Sequence, residues 1–228
     1  MLGVSIPEAL LFGSALGLGA FAVRSQIEDV TTVRASDGRD YLVQNYPDRR
    51  EAAEVLARLR AKLVAFIAYA SSGGGAPPER YASSGGGAPP AEGKNATGPN
   101  VERFVVVDPR ILLLKNNWNS DTINEGSNHS TYTSFTTDKR DITMCLRSST
   151  TNRLEPEPLL MFVLLHEAAH CATEVSDNPL EDPHTSTFWA NFKFILQVAV
   201  AGGFYVNQDF RARPVKFCGV DVTDSPLH

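Results

Sequence analysis

Hydrophobic positions along the chain fall into unbroken, alternating and helically spaced runs, and each kind predicts a different element. Ala9 to Val23 is a run with no charged residue, and Val4 to Val23 holds only Glu8. Its length approaches the roughly 20 residues that span a bilayer. Residues 1–24 are therefore expected to form an N-terminal hydrophobic helix, with 4–23 acting as a membrane anchor; a cleaved signal peptide and a buried helix are the competing readings. Val30 to Val43 is β-prone on both sides of Asp37-Gly38, which predicts a hairpin. Ala52, Leu56, Leu59, Leu63 and Phe66 recur at helical spacing after Asp48, with Glu51 placed to complete a capping box. Arg50, Glu54, Arg58 and Lys62 follow one another at i, i+4 and predict a solvated ladder on another face. Asp108-Pro109 predicts a second helix through about Lys115. Tyr132–Thr137 and Asp141–Arg147 predict a second hairpin across Asp138-Lys139-Arg140. Leu159 to Ser176 has neither Pro nor Gly and reads as a third helix. Phe188, Phe192, Ile195 and Ala199 mark the apolar face of a fourth.

These elements predict an α+β domain over residues 25–228, with helices around a small antiparallel sheet. One stretch does not fit a packed domain. Tyr-Ala-Ser-Ser-Gly-Gly-Gly-Ala-Pro-Pro runs from Tyr69 to Pro78 and again from Tyr81 to Pro90. Two copies are too few for a solenoid, so residues 71–99 are expected to be a flexible Gly/Ser/Pro insert. At 228 residues, 43% hydrophobic and 21% charged, the remainder is ordinary globular material. The net charge of −5 gives no electrostatic support for a nucleic-acid partner. Three cysteines, Cys145, Cys171 and Cys218, are too few and too scattered to suggest a disulfide framework. Each is expected to be a small buried hydrophobe.

The chemistry is concentrated in His166-Glu167-Ala168-Ala169-His170, inside the third helix. Residues four apart on a helix share a face, so the two imidazoles can occupy two corners of a tetrahedral zinc. Glu167 lies beside that face, where it can take a proton from a water polarised by the metal. A carboxylate in so apolar a helix is costly unless it has a partner or a task.

A catalytic zinc needs a third protein ligand. Six residues after His170 the chain has Ser176, not His, and no glutamate occurs beyond Glu181. Glu174 comes from the same helix, which gives poor tetrahedral angles; Glu181 and Asp182 lie in the following loop. His184 opens the fourth helix after the turn-rich Ser176–Pro183, and folding back would bring it to the open side of the metal. His184 is the expected ligand, with Glu174, Glu181 and Asp182 as the alternatives.

Several stretches are similar to a family of zincin-type zinc metallopeptidases of large DNA viruses and algae, itself distantly similar to SprT-like and WLM-type domains. They are Asp37-Gly38-Arg39-Asp40-Tyr41, Tyr132-Thr133-Ser134-Phe135-Thr136, Cys145-Leu146-Arg147, Leu160 to Ala172, His184 to Phe194, and Cys218-Gly219. The resemblance implies a zincin-like fold, one Zn²⁺ per chain held by His166, His170 and His184, and peptide or protein substrates. It also implies an edge strand above the metal, for which the second predicted hairpin is the candidate. Zincins commonly carry a further donor that stabilises the oxyanion; Tyr205, Arg147 and Tyr132 are the candidates. The expected activity is zinc-dependent peptide hydrolysis with Glu167 as general base. The alternatives are a membrane-tethered zinc-binding module without turnover, and a zinc hydrolase acting on another bond.

Overall fold

The computed structural model describes residues 29–74, 107–127, 134–174 and 182–228. Residues 1–24, and most of the 71–99 insert, lie outside them. The first hairpin forms as its sequence predicts: β1 (Val30–Arg34) and β2 (Asp40–Gln44) pair antiparallel, Val30 opposite Gln44 and Arg34 opposite Asp40. Gly38 turns the chain at φ +78°, a conformation that costs a residue without a Cβ little.

Helix α1 (Arg49–Ser71) buries Ala52, Leu56, Leu59, Leu63 and Phe66 completely, on the face the spacing predicts. Its capping box does not form. The Asp48 carboxylate makes no cap hydrogen bond and instead takes two from Arg147 Nη1, at 2.8 and 2.9 Å. A charge-assisted bond to a buried guanidinium is the stronger option. The charged ladder is also redirected. Arg58 and Lys62 both reach Glu157, at 3.1 and 2.6 Å, and Glu54 accepts from the backbone and hydroxyl of Ser36. The helix continues through Tyr69 and Ala70, so the first repeat copy begins inside its last turn. Helix α2 (Pro109–Asn117) starts as expected, the Asp108 side chain accepting from the backbone of Arg110 at 3.0 Å.

Strands β3 (Ile123–Glu125), β4 (Phe135–Thr137) and β5 (Asp141–Met144) form a sheet in the order β3-β5-β4. The β4–β5 hairpin is the predicted one, but the sheet is not purely antiparallel: β3 pairs parallel to β5. After β3 the chain passes over one strand position, runs β4 along the far edge, and turns back. That leaves β5 beside β3 and pointing the same way. On the other side β2 is stitched to β3 by side chains, Asn124 Oδ1 accepting from Leu42 and Glu125 Oε2 from Gln44.

Helix α3 (Glu157–Cys171) is apolar around its whole circumference and therefore buried around it, from Leu159 to Leu165 without a break. Helix α4 (Ser186–Ala201) lies against it, with Phe188, Phe192, Ile195 and Ala199 buried as their spacing predicts. Its first turn is capped by Thr185, whose hydroxyl oxygen accepts from the backbone of Phe188. The chain ends in a hairpin that the hydrophobic pattern does not announce, β6 (Val215–Phe217) and β7 (Val220–Val222). Its turn is Cys218-Gly219, and Cys218 is bonded to Cys145. Two of the three cysteines are thus a disulfide, not isolated hydrophobes; only Cys171 is free and buried. A separation of 73 residues carries no pairing signal, and the contact exists only once the hairpin folds over β5. The whole is a mixed α/β structure of the α+β kind. Among the described residues no helix is long and apolar enough to cross a membrane.

Candidate metal centre

The side chains of His166 and His170 leave the same face of α3, one turn apart, with ring centroids 5.1 Å from each other. His184 precedes α4 and meets them there, 4.9 Å from His170 and 5.1 Å from His166 between centroids. One ligand nitrogen from each of the three lies within 4.8 Å of the others. Nitrogens bound to tetrahedral zinc at about 2.0–2.1 Å are about 3.4 Å apart. The Nε2 atoms of His166 and His184 are 3.1 Å apart, close to that spacing. The donor set therefore fits a metal ion.

What turns the rings this way is visible in their surroundings. Phe188 stacks on His170 with centroids 4.3 Å apart and meets His166 edge-on at 4.9 Å; Phe192 closes the other side of His166 at 5.2 Å. The apolar face of α4 is at once core and a seat for the histidines. Asp182 stands outside the cluster. Its carboxylate accepts from the His184 backbone at 2.8 Å and lies 3.4 Å from Nδ1, leaving Nε2 to face the cluster. Metal-binding histidines are commonly oriented by a carboxylate in this way. Behind the site, Asn117 donates to the carbonyl of Cys171 and Asn191 to that of Ala172. These bonds satisfy the open end of α3 and tie it to α2 and α4.

Burial pushes the imidazole pKa of His166 down to about 4, with His184 adding repulsion, and that of His170 down to about 3. Both are neutral at pH 7, the form a metal requires. Glu167 is 3% exposed, and burial pushes its carboxyl up to about 7 against the lowering effect of a hydrogen bond from Thr136. The Thr136 hydroxyl, on β4, lies 2.8 Å from Glu167 Oε2. The role of Thr136 is not readable from sequence, because it depends on how β4 is set against α3.

His166, Glu167, His170 and His184 open into one cavity of about 850 Å³. Phe135 and Thr136 of β4 form one wall, and Phe217, Val220 and Val222 of the terminal hairpin form another. Two of the three residues weighed as oxyanion donors are placed elsewhere. Arg147 bonds Glu125 at 2.8 Å and Asp48, and its guanidinium lies over the ring of Tyr46. Tyr205 is buried against Phe162. Neither lines the cavity. Tyr132 lies outside the described residues, as does Glu181. Glu174 is exposed and lines a different depression, with Thr185 and Asn191.

Over 190 residues the chain is 28% identical to the uncharacterized protein R325 of Acanthamoeba polyphaga mimivirus, an alignment that covers 83% of this chain and 80% of that protein. No protein-family model matches the chain, and no solved structure matches it.

Proposed function

We propose that the chain is a zinc-dependent metallopeptidase with a zincin-like domain. The observation that carries this reading is the convergence of His166, His170 and His184 in a cavity that also holds the Glu167 carboxylate. The three imidazoles would hold the ion. Zinc bound there supplies a Lewis acid and lowers the pKa of water from about 15.7 to roughly 7. Glu167 takes the proton of the attacking water and returns it to the leaving amine. Thr136 holds one carboxylate oxygen, so the other is free to accept. The outer edge of β4, beside these groups, offers backbone pairing to an extended peptide. Residues 4–23, whose one charged residue is Glu8, are read as the anchor that places this activity at a membrane surface.

The test is hydrolysis of an unstructured protein by the full-length chain, with one equivalent of zinc and after chelation. Cleavage that chelation abolishes and zinc restores is the expected result. Stoichiometric zinc with no cleavage of any peptide bond would leave a metal-binding module or a hydrolase for other bonds.

A further inference from the structure

Neither Arg147 nor Tyr205 lines the cavity, Tyr132 lies outside the described residues, and the structure offers a further candidate that the pattern conceals. Lys139 is half-buried in the β4–β5 turn and lines the cavity with the three histidines and Glu167. It is the only Lys or Arg among the residues that line it. Among the described residues its ammonium has no ion-pair or hydrogen-bond partner, and the one group that acts on its charge is the Cys171 thiol. Its charge is nonetheless felt at His170 and Cys171. The turn that presents it is itself unusual. Within the three-residue turn Asp138-Lys139-Arg140, Asp138 and Lys139 both have positive φ, +51° and +58°, a conformation that Gly and Asn adopt more readily. A half-buried cation that faces the cavity, without a partner among the described residues, is placed to meet an anion there.

We propose that Lys139 receives the oxygen of the scissile carbonyl as negative charge develops on it. The inference rests on the peptidase reading above. As the water oxygen bonds to the carbonyl carbon and its proton passes to Glu167, the π pair of the C=O bond moves onto that oxygen. The ammonium then stabilises the alkoxide by charge and hydrogen bond. When the carbonyl re-forms, the C–N bond breaks and Glu167 protonates the amine.

The experiment uses the full-length chain, the Lys139→Met and Lys139→Arg variants, and a C-terminally amidated phosphinic tripeptide, whose tetrahedral anionic oxygens imitate the alkoxide. Calorimetric titration is run on zinc-loaded and chelated protein, beside the neutral peptide amide of the same side chains. Lys139→Met should weaken the phosphinate at least tenfold and the neutral peptide less than twofold, while Lys139→Arg retains most of the affinity. In turnover, kcat should fall roughly 10²–10³-fold with KM nearly unchanged. Zinc content and melting temperature should match the parent.

Equal phosphinate affinity in Lys139→Met and parent would overturn the assignment, as would equal losses for the charged and neutral ligands. A loss confined to KM for peptides with a free carboxylate would also overturn it, placing a ground-state carboxylate at Lys139. A parent that binds no phosphinate in either metal state overturns it too. Failure of the peptidase reading looks different: the parent itself holds no zinc or cleaves nothing.

Discussion

Glu167 carries a carboxylate into a site almost closed to water, and its titration has a sign that can be checked. In metal-free protein its pKa is raised to about 7 by burial, above that of an unfolded carboxylate at about 4.5. The folded chain then binds more protons than the unfolded chain between those values, so this group loses stability as pH rises through 7. Glu167→Gln removes the buried charge, and the chelated variant should therefore melt higher than the chelated parent at pH 8, with the gap closing near pH 4. The same variant should hold about one zinc per chain while hydrolysis falls roughly 10²–10⁴-fold, the usual share of general acid–base catalysis. A variant that cleaves like its parent would dismiss the assigned base. Arg147 is the opposite kind of residue. Its guanidinium joins Asp48 before α1, Glu125 on β3 and the carbonyl of Asn152, at a side-chain exposure of 3%; that of Glu125 is 0%. Arg147→Met strands a buried carboxylate, which costs about 3–5 kcal/mol. Urea unfolding should record that loss, and the folded fraction should keep its zinc; a loss of zinc without a loss of stability would return Arg147 to the active site. Spacing on one helix made His166, Glu167 and His170 legible. The placements of Arg147, Thr136 and Lys139 are not, because each depends on which strand lies opposite.

At the scale of elements, the four helices were largely legible because each carries an apolar face or an unbroken apolar run. Charged partners were not: Arg58 and Lys62 were expected to satisfy neighbours on α1, yet they clamp Glu157 at the start of α3. Short strands fared worst. Unlike β4, which lies in the longer β-prone run Tyr132–Thr137, the three-residue strands β3, β6 and β7 stand alone and show no alternation, and no pattern announces the parallel pairing of β3 with β5. The β6–β7 hairpin is the most exposed consequence. Among the described residues it pairs with no other strand; the Cys145–Cys218 bond, the buried Phe217 and the packing of Val215 and Val222 on the core hold it beside the cavity. A disulfide typically contributes about 2–4 kcal/mol. A dithiol reductant, or Cys218→Ser, should lower the melting temperature by several degrees. Because Phe217, Val220 and Val222 wall the cavity, affinity for peptides should fall with it. Identical melting curves with and without reductant would mean that the bond contributes nothing to the fold.

For the molecule as a whole, the question is whether a metal would make this fold or occupy it. The three histidines join α3 to the segment before α4, 18 residues apart between His166 and His184. That junction is already packed without them. Phe162 meets Phe192 at 5.3 Å, Leu164, Leu165, Phe188 and Ile195 are completely buried, and Asn191 ties the end of α3 to α4. A core of this size is enough for independent folding, unlike that of a zinc finger. The chelated protein should therefore unfold cooperatively and keep its helical content. Zinc should add stability by mass action, about 2.7 kcal/mol at a free concentration 100 times the dissociation constant. His184→Ala removes the one ligand that is not on α3. It should abolish this zinc-dependent increment while leaving the melting temperature of the chelated protein within a few degrees of the parent. Scanning calorimetry across a zinc titration measures both quantities. A His184→Ala protein that still gains the full increment places the third ligand elsewhere, with Glu174 and Glu181 the next to replace. A chelated parent that is unfolded at room temperature would show that the metal is part of the core.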